Sequence, residues 1–208
     1  MAAVDPHRIT TLDELRAIIG ESSPATQVKV GEALDETARA FIGRSPFLLL
    51  ATADGAGRAD VSPKGDQPGF VAVEDGRTLL IPDRSGNKLV FGFQNILENP
   101  NVGVLFLVPG TGETLRVNGR ASLTKDPAIL ERLAARGKPA LLAIRVRIEE
   151  TFFHCAKAFL RAALWKPETW PTDVKVSFGK IMAGKMGGGD EVAQAIDALV
   201  EEGYRTDL

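Results

Sequence analysis

Cysteine occurs once, as Cys155, histidine twice and tyrosine once in 208 residues. One cysteine cannot form an internal disulfide, so the fold is not stapled, which agrees with a reducing compartment. The adjacent pair His154-Cys155 is no zinc site either, because neighbouring residues do not readily aim at one ion and no second cysteine exists. Uninterrupted apolar stretches are also missing: no run reaches the roughly 18 residues that a transmembrane helix needs. The first residues, MAAVDPHRITTLDEL, lack a basic-then-apolar leader pattern, so a cytoplasmic protein without membrane contact is expected. Excess charge of one sign is absent as well. A net charge of −2 gives no footprint for nucleic acid or anionic lipid. What remains is a hydrophobic share of 44%, enough for an ordinary core, in a length that fits one domain with appendages. There are no internal repeats and no low-complexity tract.

Two helices are predicted first. Ile9, Leu12, Leu15, Ile18 and Ile19 recur at helical spacing over 9–20, with Thr11 and Glu14 placed as a capping box. A polar connector containing Pro24 leads to Val30–Ile42, where Leu34, Ala38, Phe41 and Ile42 form a second stripe that ends at Gly43. Both read as packing elements of an N-terminal extension.

The pattern then turns to short strands. Phe47 to Ala53 is apolar, Asp54-Gly55-Ala56-Gly57 supplies a hairpin turn, and Arg58 to Ser62 follows. After the punctuation Pro63 to Gly69, Phe70–Val73 pairs through Glu74-Asp75-Gly76 with Arg77–Ile81. Further strands are predicted at Val102–Val108, Leu115–Thr124 and Leu141–Ile148, and Pro127 suits the first position of a helix over Asp126–Arg136. Short strands, tight turns and one inserted helix point to a closed or nearly closed antiparallel barrel rather than to βαβ units.

The stretch most suggestive of chemistry is Pro82-Asp83-Arg84-Ser85-Gly86-Asn87-Lys88, between a strand and a helix-like segment that runs to about Asn99. It sets two cations, a hydroxyl and an amide at a helix start, where unpaired backbone N–H groups favour an anion. A second cluster follows the last strand. Phe152 to Leu164 reads as helical, and His154, Lys157, Arg161 and Trp165 then share one face that could meet an anionic ligand. The plainer alternative is that the stems of Lys157 and Arg161 cover apolar surface.

Two spacings mislead. Gly179-Lys180-Ile181-Met182-Ala183-Gly184-Lys185 has P-loop spacing, but Met186 replaces the magnesium-binding hydroxyl and no βαβ unit follows. We read it, with Gly187-Gly188-Gly189, as a mobile loop before a helical segment at Val192–Val200. Pro109-Gly110-Thr111-Gly112 is a turn, since it opens no helix.

Taken in order, RADVSPKGDQPGF, the loop and helix after Ile81, ENPNVGVLF and TLRVNGRASL resemble the pyridoxamine 5'-phosphate oxidase-related FMN-binding split-barrel family over roughly residues 40–165. The resemblance implies an α+β, mainly β protein: an antiparallel split barrel at 45–150, a helical extension at 1–44, and helices and loops at 151–208 packed on the barrel or a partner. It implies FMN held between the protomers of a homodimer. By position, the phosphate falls to Arg84, Ser85, Asn87 and Lys88, and the ring to Ile81, Pro82 and Asp83 together with Asp60, Val61, Ser62 and Lys64. Thr114 and Arg116, on the strand after the loop, fall near a phosphate or the dimer seam. His-Cys-x-Lys-Ala helices ending in Leu-Trp occur in some members, which sets His154, Lys157, Arg161 and Trp165 on the substrate or second-protomer side. One departure stands out: Leu89 occupies a position where many relatives carry arginine, and Arg84, Lys64 or Arg116 are the nearest replacements.

The expected activity is FMN-dependent oxidoreduction of a small molecule, with a reduced nicotinamide as a possible donor. Pyridoxamine 5'-phosphate itself fits poorly, because the authentic oxidases end in a basic, histidine-containing motif and this chain ends in EEGYRTDL. The alternatives are a non-catalytic flavin- or haem-binding stress or storage protein, and a dimeric interaction domain without cofactor.

Overall fold

The computed structural model of the chain describes residues 5–206. Seven strands form one sheet: β1 (Phe47–Ala53), β2 (Ala59–Gly65), β3 (Ala72–Asp75), β4 (Thr78–Pro82), β5 (Asn101–Leu107), β6 (Thr114–Thr124) and β7 (Ala143–His154). Their order is β2-β1-β5-β6-β7-β4-β3, and every neighbouring pair is antiparallel. Alternation produces this arrangement. In β1 and β5 every second side chain is buried, so Leu48, Leu50, Val104 and Phe106 meet on the inside. β4 is buried along its whole length, as expected of a strand with apolar cover on both faces. The sheet curls so that its two edges, β2 and the β3–β4 hairpin, leave a seam between them: a split antiparallel barrel.

The expected strands are all present, with ends shifted by a few residues. β6 and β7 are the longest, and a bulge at Asn118/Gly119 lets them bend around the core. One expectation is corrected here. Residues 152–154 continue β7 instead of starting a helix, because Phe152, Phe153 and His154 pair with Arg116, Leu115 and Thr114. The helix in that region is short, α6 (Lys157–Arg161). His154 therefore does not share a helical face with Lys157, Arg161 and Trp165.

Helices occupy the ends and outside. α3 (Glu36–Ile42), capped by Asp35, buries Ala38 and Ile42 in the main core, and Phe41 meets Phe153 edge to face at 5.3 Å. α1 (Leu12–Ile19) forms with the anticipated Thr11–Glu14 capping box, yet none of its residues is buried, so it does not pack as expected. α2 (Pro24–Gln27) is a single turn in the connector. α4 (Phe91–Glu98) packs on β1, β2 and β6 through Ile96, and α5 (Pro127–Arg132) carries Pro127 in its first turn.

The C-terminal segment also differs from the sequence expectation. Residues 178–186 form α7 (Phe178–Met186) rather than a loop, and it packs on α8 (Asp190–Thr206). Gly187 ends α7 in a left-handed conformation at φ 71°, the usual glycine stop. No helix among the described residues is long and apolar enough to cross a membrane.

Candidate functional site

A cavity of about 610 Å³ opens at the seam. One wall is β2, whose alternation turns Asp60, Ser62 and Lys64 inward; the other is the loop from Pro82 to Val90 with the first turn of α4. Phe70, Phe93 and Leu142 supply apolar surface. A flat aromatic ligand with a polar end suits such a slot.

Two ion pairs cross the seam. Lys64 Nζ lies 2.9 Å from Asp83 Oδ1 and 4.8 Å from the centre of the Phe93 ring. Arg84 Nε donates to Asp66 Oδ2 at 2.8 Å, and Arg136 approaches the same carboxylate at 3.6 Å. Arg84 is thereby fixed, while its Nη1 is buried and has no hydrogen-bond partner among the described residues. An arginine that lines a cavity, held by one nitrogen with another left unsatisfied, is suited to a phosphate oxygen.

Asp66 is only 2% exposed on its side chain. Burial opposes its charge, but the Gln67 N–H and the guanidinium groups of Arg84 and Arg136 outweigh this and hold the carboxyl below its usual range. Because its folded value is depressed, the stabilisation it provides is complete above the ordinary value of about 3.9 and is lost as pH falls through the lower folded value. Asp66→Asn is expected to flatten the acid limb of a stability-against-pH curve below about pH 4. Denaturant midpoints at pH 3 and pH 6 check this, and an unchanged slope would contradict it.

The loop is shaped by its own residues. Asn87 Oδ1 accepts the Leu89 N–H at 3.0 Å, and Lys88 and Val90 take positive φ of 60° and 26°. Such a backbone is strained for a β-branched valine, and strain of this kind gathers at ligand sites. α4 starts at Phe91, three residues later than Lys88, and has no side-chain cap. Lys88 is therefore on the loop, as the sequence predicts, with Leu89 and Val90 between it and the first helical turn.

Of the residues singled out from sequence, Asp60, Ser62, Lys64, Pro82, Asp83, Arg84, Ser85, Asn87 and Lys88 all line this cavity. The Ile81 side chain lies in the core, and Val61 points outward at 58% exposure. Any contact of these two with a ligand in the cavity falls to their backbone. Thr114 and Arg116 are elsewhere, beside a second cavity with His154, Lys157 and Arg161. Trp165 lies next to that group, stacked on Phe159 at 5.7 Å and donating its Nε1–H to Thr111 O. Sequence reasoning missed Asp66, Arg136 and Phe93. Asp66 stands in a Gly/Pro punctuation that reads only as a turn, and Arg136 is brought close by the fold from 70 residues further along.

A barrel split along one seam, with a cavity between its edge strand and the loop entering an inserted helix, defines the class of split antiparallel barrels. A profile of the pyridoxamine 5'-phosphate oxidase family matches residues 34–155, and the chain belongs to that family. A search of the curated proteins gave no match. Among solved structures, HupZ of Group A Streptococcus is 16% identical with TM-score 0.48, covering 58% of this chain and 93% of its own. A candidate pyridoxamine 5'-phosphate oxidase of Lactobacillus delbrueckii is 25% identical, TM-score 0.46, covering 59% and 95%. An FMN-binding protein of Syntrophomonas wolfei is 14% identical, TM-score 0.46, covering 57% and 84%.

Proposed function

We propose that the protein binds FMN in the seam cavity and is an FMN-dependent oxidoreductase acting on a small molecule. The phosphate lies against Arg84, Ser85, Asn87 and Lys88, and the ring along β2 and the end of β4. The single observation that carries this reading is that Arg84, which lines the cavity, has a buried Nη1 with no hydrogen-bond partner among the described residues. The guanidinium supplies the charge for which Leu89, exposed on the loop, is no source. The flavin, when bound, supplies hydride or electron transfer; the chain's task is to bind it, orient it and keep water away.

Val61, Leu89, Val90, Phe91 and Leu141 are large, apolar and exposed around or beside the cavity mouth. Apolar surface gathered at a site calls for cover, and a symmetric second copy provides it, so the cofactor lies between two protomers. In this reading residues 45–150 are the flavin-binding part, 1–44 a helical extension, and 151–208 helices and loops that pack on the barrel or the partner.

Absorbance and mass of whatever co-purifies with the full chain test the assignment. Flavin bands without a Soret band, the mass of FMN and a dimeric solution mass are expected. A colourless protein that takes up no FMN at micromolar levels sinks the reading. Bleaching by NADPH, NADH or reduced deazaflavin supports the oxidoreductase, whereas inertness toward all three, with FMN bound, refutes the catalytic half and leaves a flavin carrier.

A further inference from the structure

α1 is amphipathic, yet it buries none of its residues, and Ile18 and Ile19 are 69% and 71% exposed. Leu12, Leu15 and Ile19 recur at i, i+3 and i+7, which sets them on one stripe with Glu14 on one flank and Arg16 on the other. An isolated helix of eight residues is marginal in water, so packing of that stripe has to hold it. A second uncovered face lies at the other end of the chain. α7 and α8 pack on each other through Gly179, Ala183 and Ala193, the buried residues of the two helices. Phe178 and Met182, at i and i+4 on α7, stay exposed, as do Val192 and Leu199 at i and i+7 on α8. Counted round each helix from the residues that face its neighbour, both pairs fall on the same side of the hairpin and flank the groove between the two axes.

Length and charge select what fills this groove. α1 and α7 have 8 and 9 residues, which at about 1.5 Å per residue gives about 12 and 14 Å. Lys185 rims the groove on the α7 side and Glu191 on the α8 side, one before and one after the turn, and among the described residues neither has an ion pair. α1 carries the complement, an acid and a base on opposite flanks of its stripe. The Glu14 carboxylate is fixed by the Thr10 and Thr11 N–H groups, both on Oε2, which hold it below its usual range and leave Oε1 unused. Arg16 meets only the Gly20 carbonyl and, at 3.5 Å, the exposed Glu21. Seated with Glu14 towards Lys185 and Arg16 towards Glu191, α1 runs antiparallel to α7; the reversed helix sets Arg16 against Lys185. Within one chain the two faces do not meet, since both remain exposed.

We propose that α1 of a second copy seats in the groove of the α7–α8 hairpin as its third helix, antiparallel to α7, and that the exchange is reciprocal about a two-fold axis. The contact uses no residue that lines the seam cavity and no cofactor, so its failure leaves the flavin reading standing.

The chain has one cysteine, and it is exposed, so Cys155→Ser supplies a cysteine-free full-length background. In it, a chain with Leu15→Cys is mixed with a chain with Met182→Cys and mildly oxidised. A disulfide-linked pair of one chain of each kind is expected. It should form at least ten times faster than the link between Leu15→Cys and Lys180→Cys, because Lys180 lies two residues before Met182 and hence on the opposite side of α7. Arg16→Glu in the first chain is expected to slow the Met182→Cys link at least tenfold, and Glu191→Arg in the second chain to restore it. A single chain carrying both Leu15→Cys and Met182→Cys, diluted into excess cysteine-free protein, is expected to stay unlinked. No mixed dimer, equal rates at 182 and 180, indifference to the charge exchange, or a link closed within the double-cysteine chain would each overturn the proposal. Flavin absorbance is expected to be the same in all these samples, so the two readings fail separately.

Discussion

Arg84→Ala is expected to weaken FMN binding about ten- to a hundredfold. A charge-assisted hydrogen bond to a phosphate contributes about 1.5–3 kcal/mol, and each 1.4 kcal/mol is about a factor of ten in affinity. The side chain is suited to this because Arg84 lines the cavity, its Nε is committed to Asp66 and its buried Nη1 has no partner among the described residues. Removing it also strands a buried carboxylate, leaving Asp66 the Gln67 N–H and the longer contact with Arg136. Part of any loss could therefore come from a disturbed seam. The variant carrying both Arg84→Ala and Asp66→Asn separates the two: it removes the stranded charge, so it is expected to recover stability but not affinity. Arg84→Lys keeps a charge and loses the fork, so an intermediate affinity is expected. Quenching of flavin fluorescence on titrating apoprotein into FMN gives the dissociation constants. An Arg84→Ala protein that binds FMN as tightly as the wild type would remove the phosphate from this end of the cavity.

The strands that build this cavity are legible in the sequence because each alternates or is continuously apolar, and the turns between them carry Gly, Asp or Pro. The loop residues Arg84 to Lys88 are legible too, since a glycine between polar side chains after an apolar strand is a local signal. The ion pairs that fix the loop are not. Lys64–Asp83 and Arg84–Asp66 join residues 19 and 18 apart, and only the curl of the sheet brings them together. No periodicity encodes that closure.

The misreading of 152–164 has a different cause. Phe152-Phe153-His154-Cys155-Ala156-Lys157 contains apolar residues at spacings that serve a helix or a strand, and a short apolar run does not decide between them. Tertiary context decides: β6 continues to Thr114 and offers hydrogen-bonding partners as far as His154, so β7 extends to match it. As a result His154 is placed opposite Thr114 at the mouth of the second cavity, while Lys157 and Arg161 reach the same rim from a separate element.

Gly179→Ala is expected to open the α7–α8 hairpin at a cost of about 2–4 kcal/mol, combining overpacking with a lost helix cap. A Cβ at Gly179 would stand 1.9 Å from the Ala193 carbonyl oxygen and 2.9 Å from Asp197 Cγ. Backbone cannot swing aside as a side chain can, so α8 must move away. Its retreat breaks the contacts by which Asp197 holds the start of α7, from Ser177 Oγ at 2.6 Å and the Gly179 N–H at 2.7 Å. Those same bonds, with Lys180 nearby, keep the Asp197 carboxyl below its usual range, which shows how closely the α7 N-terminus is seated on it. Because the two helices pack chiefly on each other, the damage is local. Amide exchange in α7 and α8 is expected to accelerate about 30- to 1000-fold, with the β5–β6–β7 amides unchanged. Gly184, the other glycine of the P-loop-like spacing, supplies the control: a Cβ there meets nothing within 4 Å. Gly184→Ala is expected to slow exchange in α7, since alanine is favoured over glycine in a helix by about 0.5–1 kcal/mol. A nucleotide-binding loop would require both glycines for its backbone, so opposite responses at 179 and 184 identify the spacing as a helix-packing pattern. Equal damage at both positions would contradict that reading.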